Sequence, residues 1–156
     1  LTRSSAASDV YKRQLLYAKS DGKGTSISKA LDFVMKVSKR KSVVFLLSDF
    51  IDEDYWDSLK TTNRKHDFIG IKISDPYEIE FPDIGMFKVE DSESGDTFWV
   101  DTSNHIELKQ MNEMNRKKNE DLFIKSKKLG IDIIPISTSE NYIDPLMKFF
   151  KKRGEK

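Results

Sequence analysis

From Ser26 onward, apolar residues recur three and four positions apart, at Ile27, Ala30, Leu31, Val34, Met35 and Val37. That spacing predicts an amphipathic helix. Thr25 or Ser26 is its expected N-cap, and the basic run Lys39–Lys41 its end. The pattern changes at Ser42, where SVVFLLSDF forms a continuous apolar run rich in β-branched and aromatic residues. A run without alternation predicts a strand covered on both faces, as in a parallel sheet. A second helix is expected through about Arg64, capped by Asp52 or Asp54 and packed through Tyr55, Trp56 and Leu59. His66 and Asp67 then lead into FIGIKI, another buried-type strand. Strand, helix and strand in this order make a βαβ unit, for which a right-handed crossover is expected. Asp75-Pro76 ends the second strand, because a residue before proline avoids helix and the ring stops pairing.

Beyond it, Met86–Glu90 and Thr97–Asp101 flank SESG and predict a β-hairpin with Gly95 in its turn. A long helix is expected from about Ile106 to Leu129, with Leu108, Met111, Met114, Leu122 and Ile124 among its apolar positions and Gly130 as its C-terminal cap. IDIIPIS predicts a third buried strand. Tyr142–Lys152 predicts a last amphipathic helix carrying Ile143, Leu146, Met147, Phe149 and Phe150. This order implies an α/β sheet with helices on both faces. In such sheets ligands bind beyond the carboxyl ends of the strands, and Asp49 falls there.

Composition adds exclusions. The 156 residues suit one domain or part of one. With no cysteine, a disulfide frame, a thiolate metal site and a thiol nucleophile are all excluded. A net charge of +1 supplies no global field, so no nucleic-acid partner is expected. No stretch approaches the roughly 18–20 apolar residues that span a bilayer. Leu1–Gln14, LTRSSAASDVYKRQ, shows no periodicity and has the wrong order for a signal peptide. Its last six residues match a translated transposon-end adapter, so residues 1–14 are expected to be a sequencing artefact and residues 15–156 a partial domain.

Few residues invite chemistry. Thr25 follows DGKG at a helix start, but Gly24 breaks the spacing of a phosphate loop, and a capped helix explains the segment. Asp49 ends a strand, where a carboxylate suits a hard cation such as Mg²⁺. Asp52, Glu53, Asp54 and Asp57 suit the start of the next helix. His66-Asp67 resembles a dyad but begins a strand, the wrong end for an α/β site, so loop polarity is the expected role. Trp56 and Trp99 are expected to pack. The basic tail from Lys148 reads as a solvated helix end.

Three blocks together resemble the bacterial von Willebrand factor A-like proteins of domain-of-unknown-function family 58. They are GKGTSISKALDFVMKVSKRKSVVFLLSDFIDEDYWDSL, KHDFIGIKISDPYEIEFPDIGMFKVEDSESGDTFWVDTS and GIDIIPISTSENYIDPLMKFFKKR. The resemblance implies a three-layer, Rossmann-like α/β sheet, truncated by the loss of its N-terminal strands and carrying an inserted hairpin. It implies a Mg²⁺-dependent adhesion site in which Thr25 matches the site's threonine and Asp49 its late aspartate. The Asp-x-Ser-x-Ser string that opens such sites does not occur in this chain. By the same resemblance, the first remaining strand should present an unpaired apolar edge. The intact protein is expected to be a protein-binding module rather than an enzyme, working with a MoxR-type AAA+ ATPase. It is expected to be membrane-anchored through absent segments, with this domain facing the cytoplasm. Two alternatives stand beside this: a metal-dependent phosphoryl-transfer enzyme or nuclease using Asp49 with Asp52 or Asp54, and a structural interaction domain whose metal site has decayed.

Overall fold

In the computed structural model, residues 25–90 and 95–155 are described. The expected artefact at residues 1–14 and the glycine-rich loop Asp21–Gly24 lie outside them. Ser26 has extended backbone and its hydroxyl accepts from the Lys29 N–H, so helix α1 (Ile27–Val37) starts where the periodicity predicts. Its far end is held by Lys65, whose Nζ donates to the carbonyls of Met35 (3.2 Å) and Ser38 (2.8 Å). Strand β1 (Val43–Ser48), helix α2 (Trp56–Lys65) and strand β2 (Asp67–Ser74) follow as the expected β-α-β sequence. Asp75 then caps a short turn, α3 (Pro76–Ile79), through a reciprocal capping box with Glu78 that the apolar pattern does not reveal.

The hairpin of β3 (Met86–Glu90) and β4 (Thr97–Asp101) has the predicted bounds, and Gly95 takes a left-handed φ of 75° there. It stands as a sheet of its own. Thr102, buried at its base, donates to the Gly85 carbonyl (2.8 Å) and accepts from the Ile84 N–H (3.1 Å). Helix α4 (His105–Lys128) is capped by the Asn104 side chain. It ends in a Schellman motif, with Ile131 N–H on the Ser126 carbonyl and Gly130 N–H, at φ 64°, on that of Lys127. Strand β5 (Asp132–Ser137) and helix α5 (Ile143–Gly154) complete the order.

The three long strands form a parallel sheet in the order β1-β2-β5. The described chain is thus a mixed α/β fold built on a small parallel sheet. Side chains alternate across it, so the two faces separate cleanly. Phe68, with Val44, Leu46 and Ile133 beside it, meets Ile27, Leu31, Leu59, Leu122 and Ile131 in one core beneath the helices. On the opposite face lie Phe45, Ile69 and Asp132 in one row, and Leu47, Ile71 and Ile134 in the next. Helix α5 lies against β5 here, and its Phe150 meets Phe45 edge-on at 6.3 Å.

Two expectations need correction. Strand β1 is not covered on both faces: Val43, Phe45 and Leu47 are exposed by about half or more, because β1 is an edge strand among the described residues and α5 packs mainly on β5. Neither Asp52 nor Asp54 caps α2, whose N-cap is Tyr55 with no side-chain bond. Along α4, Leu108 and Met111 are half-buried and Met114 and Ile124 exposed, while Leu122 and Ser126 are buried. The unpaired apolar edge expected of the first strand is present among the described residues.

Leu59 is fully buried at the centre of the core. Replacing it, Leu59→Ala, should lower the unfolding free energy in a urea titration by about 2–5 kcal/mol. The exposed Phe33→Ala should change it by no more than about 0.5 kcal/mol.

Candidate functional site

The segment leaving β1 turns sharply at the carboxyl end of the sheet. Asp49 Oδ1 accepts from the Ile51 N–H at 3.0 Å and from the Ser48 hydroxyl at 3.3 Å, an Asx turn that fixes the carboxylate. Phe50 has φ 57°, an uncommon conformation for a large side chain, costing on the order of 1–3 kcal/mol. Its ring lies in the core against Tyr55, with centroids 6.0 Å apart. It also sits over Gly70 of β2, where an added Cβ would come within 3.0 Å of Phe50 Cζ and 3.3 Å of Ile133 Cγ1. Glycine at position 70 is what allows the turn to fold inward.

Asp52 has a role the sequence pattern does not suggest. Its Oδ2 accepts from the Ile27 N–H at 2.7 Å and its Oδ1 from the Glu53 N–H at 2.7 Å. It therefore caps α1, not α2, by satisfying one of the open N–H groups of that helix start. The bond draws the head of α1, and with it exposed Thr25 two residues earlier, to the loop that carries Asp49. Asp54 is exposed, with φ 58°.

A cleft of about 840 Å³ opens beside this loop, lined in part by Asp49, Trp56, Lys72, Glu78, Asn119 and Lys125. Lys72 Nζ donates to the Asp49 carbonyl at 3.0 Å. Burial pushes the Lys72 ammonium pKa down, while Asp49 and Glu78 oppose that shift. Lys125 Nζ stands 4.2 Å over the Trp56 ring, which itself stacks on Tyr55 at 5.1 Å. The Asn119 side-chain oxygen is buried with no partner among the described residues. Burial, and then the charge of Asp52, raise the Tyr55 phenol to about 12.

Of the two expected site residues, Asp49 lines the cleft and Thr25 stands at the adjoining helix head. No group of three or more His, Cys, Asp or Glu side chains placed to hold a metal occurs among the described residues. His66 is buried at the opposite end of the sheet, with Nδ1 accepting from the Ser42 N–H at 3.3 Å, rather than lying on a polar loop. Asp67 pairs there with Arg153. The sequence reading missed Lys72, Asn119 and Lys125. Lys72 is the only charge in FIGIKI, and Asn115, Lys118, Asn119, Leu122 and Lys125 recur at helical spacing, so both signals were present.

A family model described as "Protein of unknown function DUF58" matches residues 3–121. An uncharacterized protein of Mycobacterium avium is 25% identical over 130 residues, covering 81% of this chain and 75% of that protein. Uncharacterized proteins of Mycobacterium tuberculosis and Mycobacterium bovis are 30% identical over 67 residues, which is 42% of this chain but 21% of their own length. No solved structure matches.

Two outcomes test this geometry. Asp52→Ala should cost about 1 kcal/mol of stability and speed hydrogen exchange at the Ile27 amide. Because the Tyr55 phenol is raised from 10.0 to about 12 in the folded protein, its contribution is fully present below pH 10 and is lost as the pH rises through 12. Spectrophotometric titration at alkaline pH should show one tyrosine ionising late, with stability falling across that window.

Proposed function

The chain belongs to the DUF58 family, and from that premise we propose that it is part of a von Willebrand factor A-like module that binds another protein rather than catalysing a reaction. The contact surface is the carboxyl end of β1 and β2, around Asp49 and the cleft beside it. The observation that carries this reading is the bond from the Ile27 N–H to Asp52, because it gathers the Thr25 and Asp49 segments at one end of the sheet.

The two residues fit a hard cation in kind. Thr25 offers a hydroxyl oxygen, and exposed Asp49 offers a carboxylate held in its turn through Oδ1. Mg²⁺ takes oxygen ligands of this type and retains several waters. In the intact protein, Thr25 and Asp49 would hold it with further oxygens from an Asp-x-Ser-x-Ser segment that this chain does not contain. When bound, the cation would supply a charge bridge to a carboxylate on the partner. The chain's own part is to hold Asp49 in its turn and to flank it with the Lys72 ammonium, which favours an acidic contact. The partner we propose is a MoxR-type AAA+ ATPase, approached by an intact protein anchored in the membrane with this domain on the cytoplasmic side.

The test uses the intact gene product titrated with Mg²⁺ and with Mn²⁺ by calorimetry and by Mn²⁺ electron paramagnetic resonance. Asp49→Ala should weaken binding at least about tenfold, a loss of roughly 1.4 kcal/mol. Asp57→Ala, in the first turn of α2, should leave it unchanged. Equal binding by wild type and Asp49→Ala, or no binding by either, sinks the metal-bridge reading.

A further inference from the structure

Three asparagines lie along one stripe of α4, at Asn112, Asn115 and Asn119. The first two hold main chain. Asn112 accepts from the Phe81 N–H at 2.8 Å and donates to the Phe81 carbonyl at 3.2 Å, gripping one residue by both its backbone groups. Asn115 donates to the Glu78 carbonyl at 3.1 Å. The segment from Glu78 to Phe81 thus runs beside α4 and opposite to it in direction. Asn119, one turn further on, continues the stripe, but there the chain has already turned back through the Asp75 cap to β2. Its Oδ1 is buried with no partner among the described residues, an unfavourable state for an amide oxygen.

Asn119 lines the cleft beside Asp49, and every lining residue of that cleft belongs to a described segment. One wall is α4; the other is the loop after β1, the end of β2 and α3. The cleft therefore lies over the end of the middle strand, not along the outer edge of β1. Lys72, at that strand end, donates to the Asp49 carbonyl at 3.0 Å, and no carboxylate is hydrogen-bonded to its ammonium among the described residues. From Asn115 to Lys125 the cleft follows α4 for about 15 Å, the length of roughly five extended residues. Carboxylates outnumber lysines along the lining, which disfavours a polyanion such as a nucleic acid.

We propose that this cleft binds an extended polypeptide segment of the partner protein, gripped at its main chain by Asn119 as Phe81 is gripped by Asn112, with one acidic side chain on the Lys72 ammonium. A main chain supplies the N–H that Asn119 Oδ1 lacks, together with a carbonyl for the amide nitrogen. A carboxylate on Lys72 makes a charge-assisted bond at a half-buried site. The proposal rests on the binding-module reading for its class of partner, but it does not require the cation at Asp49.

In the experiment, the full 156-residue chain is panned in EDTA against a phage-displayed library of random dodecapeptides. Enriched peptides are then synthesised and their affinities measured by fluorescence anisotropy. They should share an acidic residue, and Asn119→Leu and Lys72→Met should each weaken binding at least about tenfold. Changing that acid to its amide should weaken binding to the wild type but not further to Lys72→Met. Asn119→Leu removes an unpaired buried oxygen, so its urea midpoint should equal or exceed that of the wild type. Lys109→Ala, exposed near the start of α4, should bind as the wild type does. No enrichment, or peptides indifferent to both cleft variants, overturns the proposal. A fall in the stability of Asn119→Leu does so too, since it would assign the amide a role within the fold. Peptides that bind only with Mg²⁺ and only through Asp49 overturn it as well, while leaving the metal-bridge reading standing. Cleft-dependent binding in EDTA sustains it even where the cation titration fails.

Discussion

The insertion of Phe50 into the core is the constraint on which the carboxyl end of the sheet depends. Its left-handed backbone is unfavourable in isolation and persists because the ring is buried between Tyr55 and Gly70. With Phe50 turned inward, Asp49 is left outside in an Asx turn and Asp52 reaches back to the head of α1. A single buried ring thus sets the direction of two carboxylates. One is engaged in holding a helix. The other is held in its turn through Oδ1.

That division explains why a run of acids around one strand end does not act as one acidic cluster. Asp52 gives both oxygens to backbone N–H groups. Lys72 places an ammonium against the Asp49 carbonyl and Lys125 lies over Trp56, so positive charge is interleaved with the acids around the cleft. The resulting surface is mixed in sign and partly aromatic.

The two faces of the sheet differ for a reason of coverage. Helices α1, α2 and α4 close one face over Phe68 and its neighbours, and Leu59 is wholly buried there. On the other face α5 packs on β5 and sets Phe150 against Phe45, yet Val43, Phe45 and Leu47 stay about half exposed or more. These three therefore form an exposed apolar row among the described residues.

The longer helices, the strands and the hairpin were legible in the sequence, because periodicity, caps and turn residues act over a few neighbouring positions. Ser26, Gly95 and Gly130 each did what their local chemistry requires. Asp49 at a strand's carboxyl end was legible for the same reason. The sequence could not tell which faces would be covered: VVFLLS reads as a buried strand, but burial depends on what the rest of the chain brings against it. Nor could it show that Asp52 caps a helix 25 positions earlier in the chain. Short apolar and acidic runs state what a segment can do. Only the packing of distant elements decided which of those uses was taken, because hydrogen-bond partners and covering layers are supplied across the fold and not along the chain.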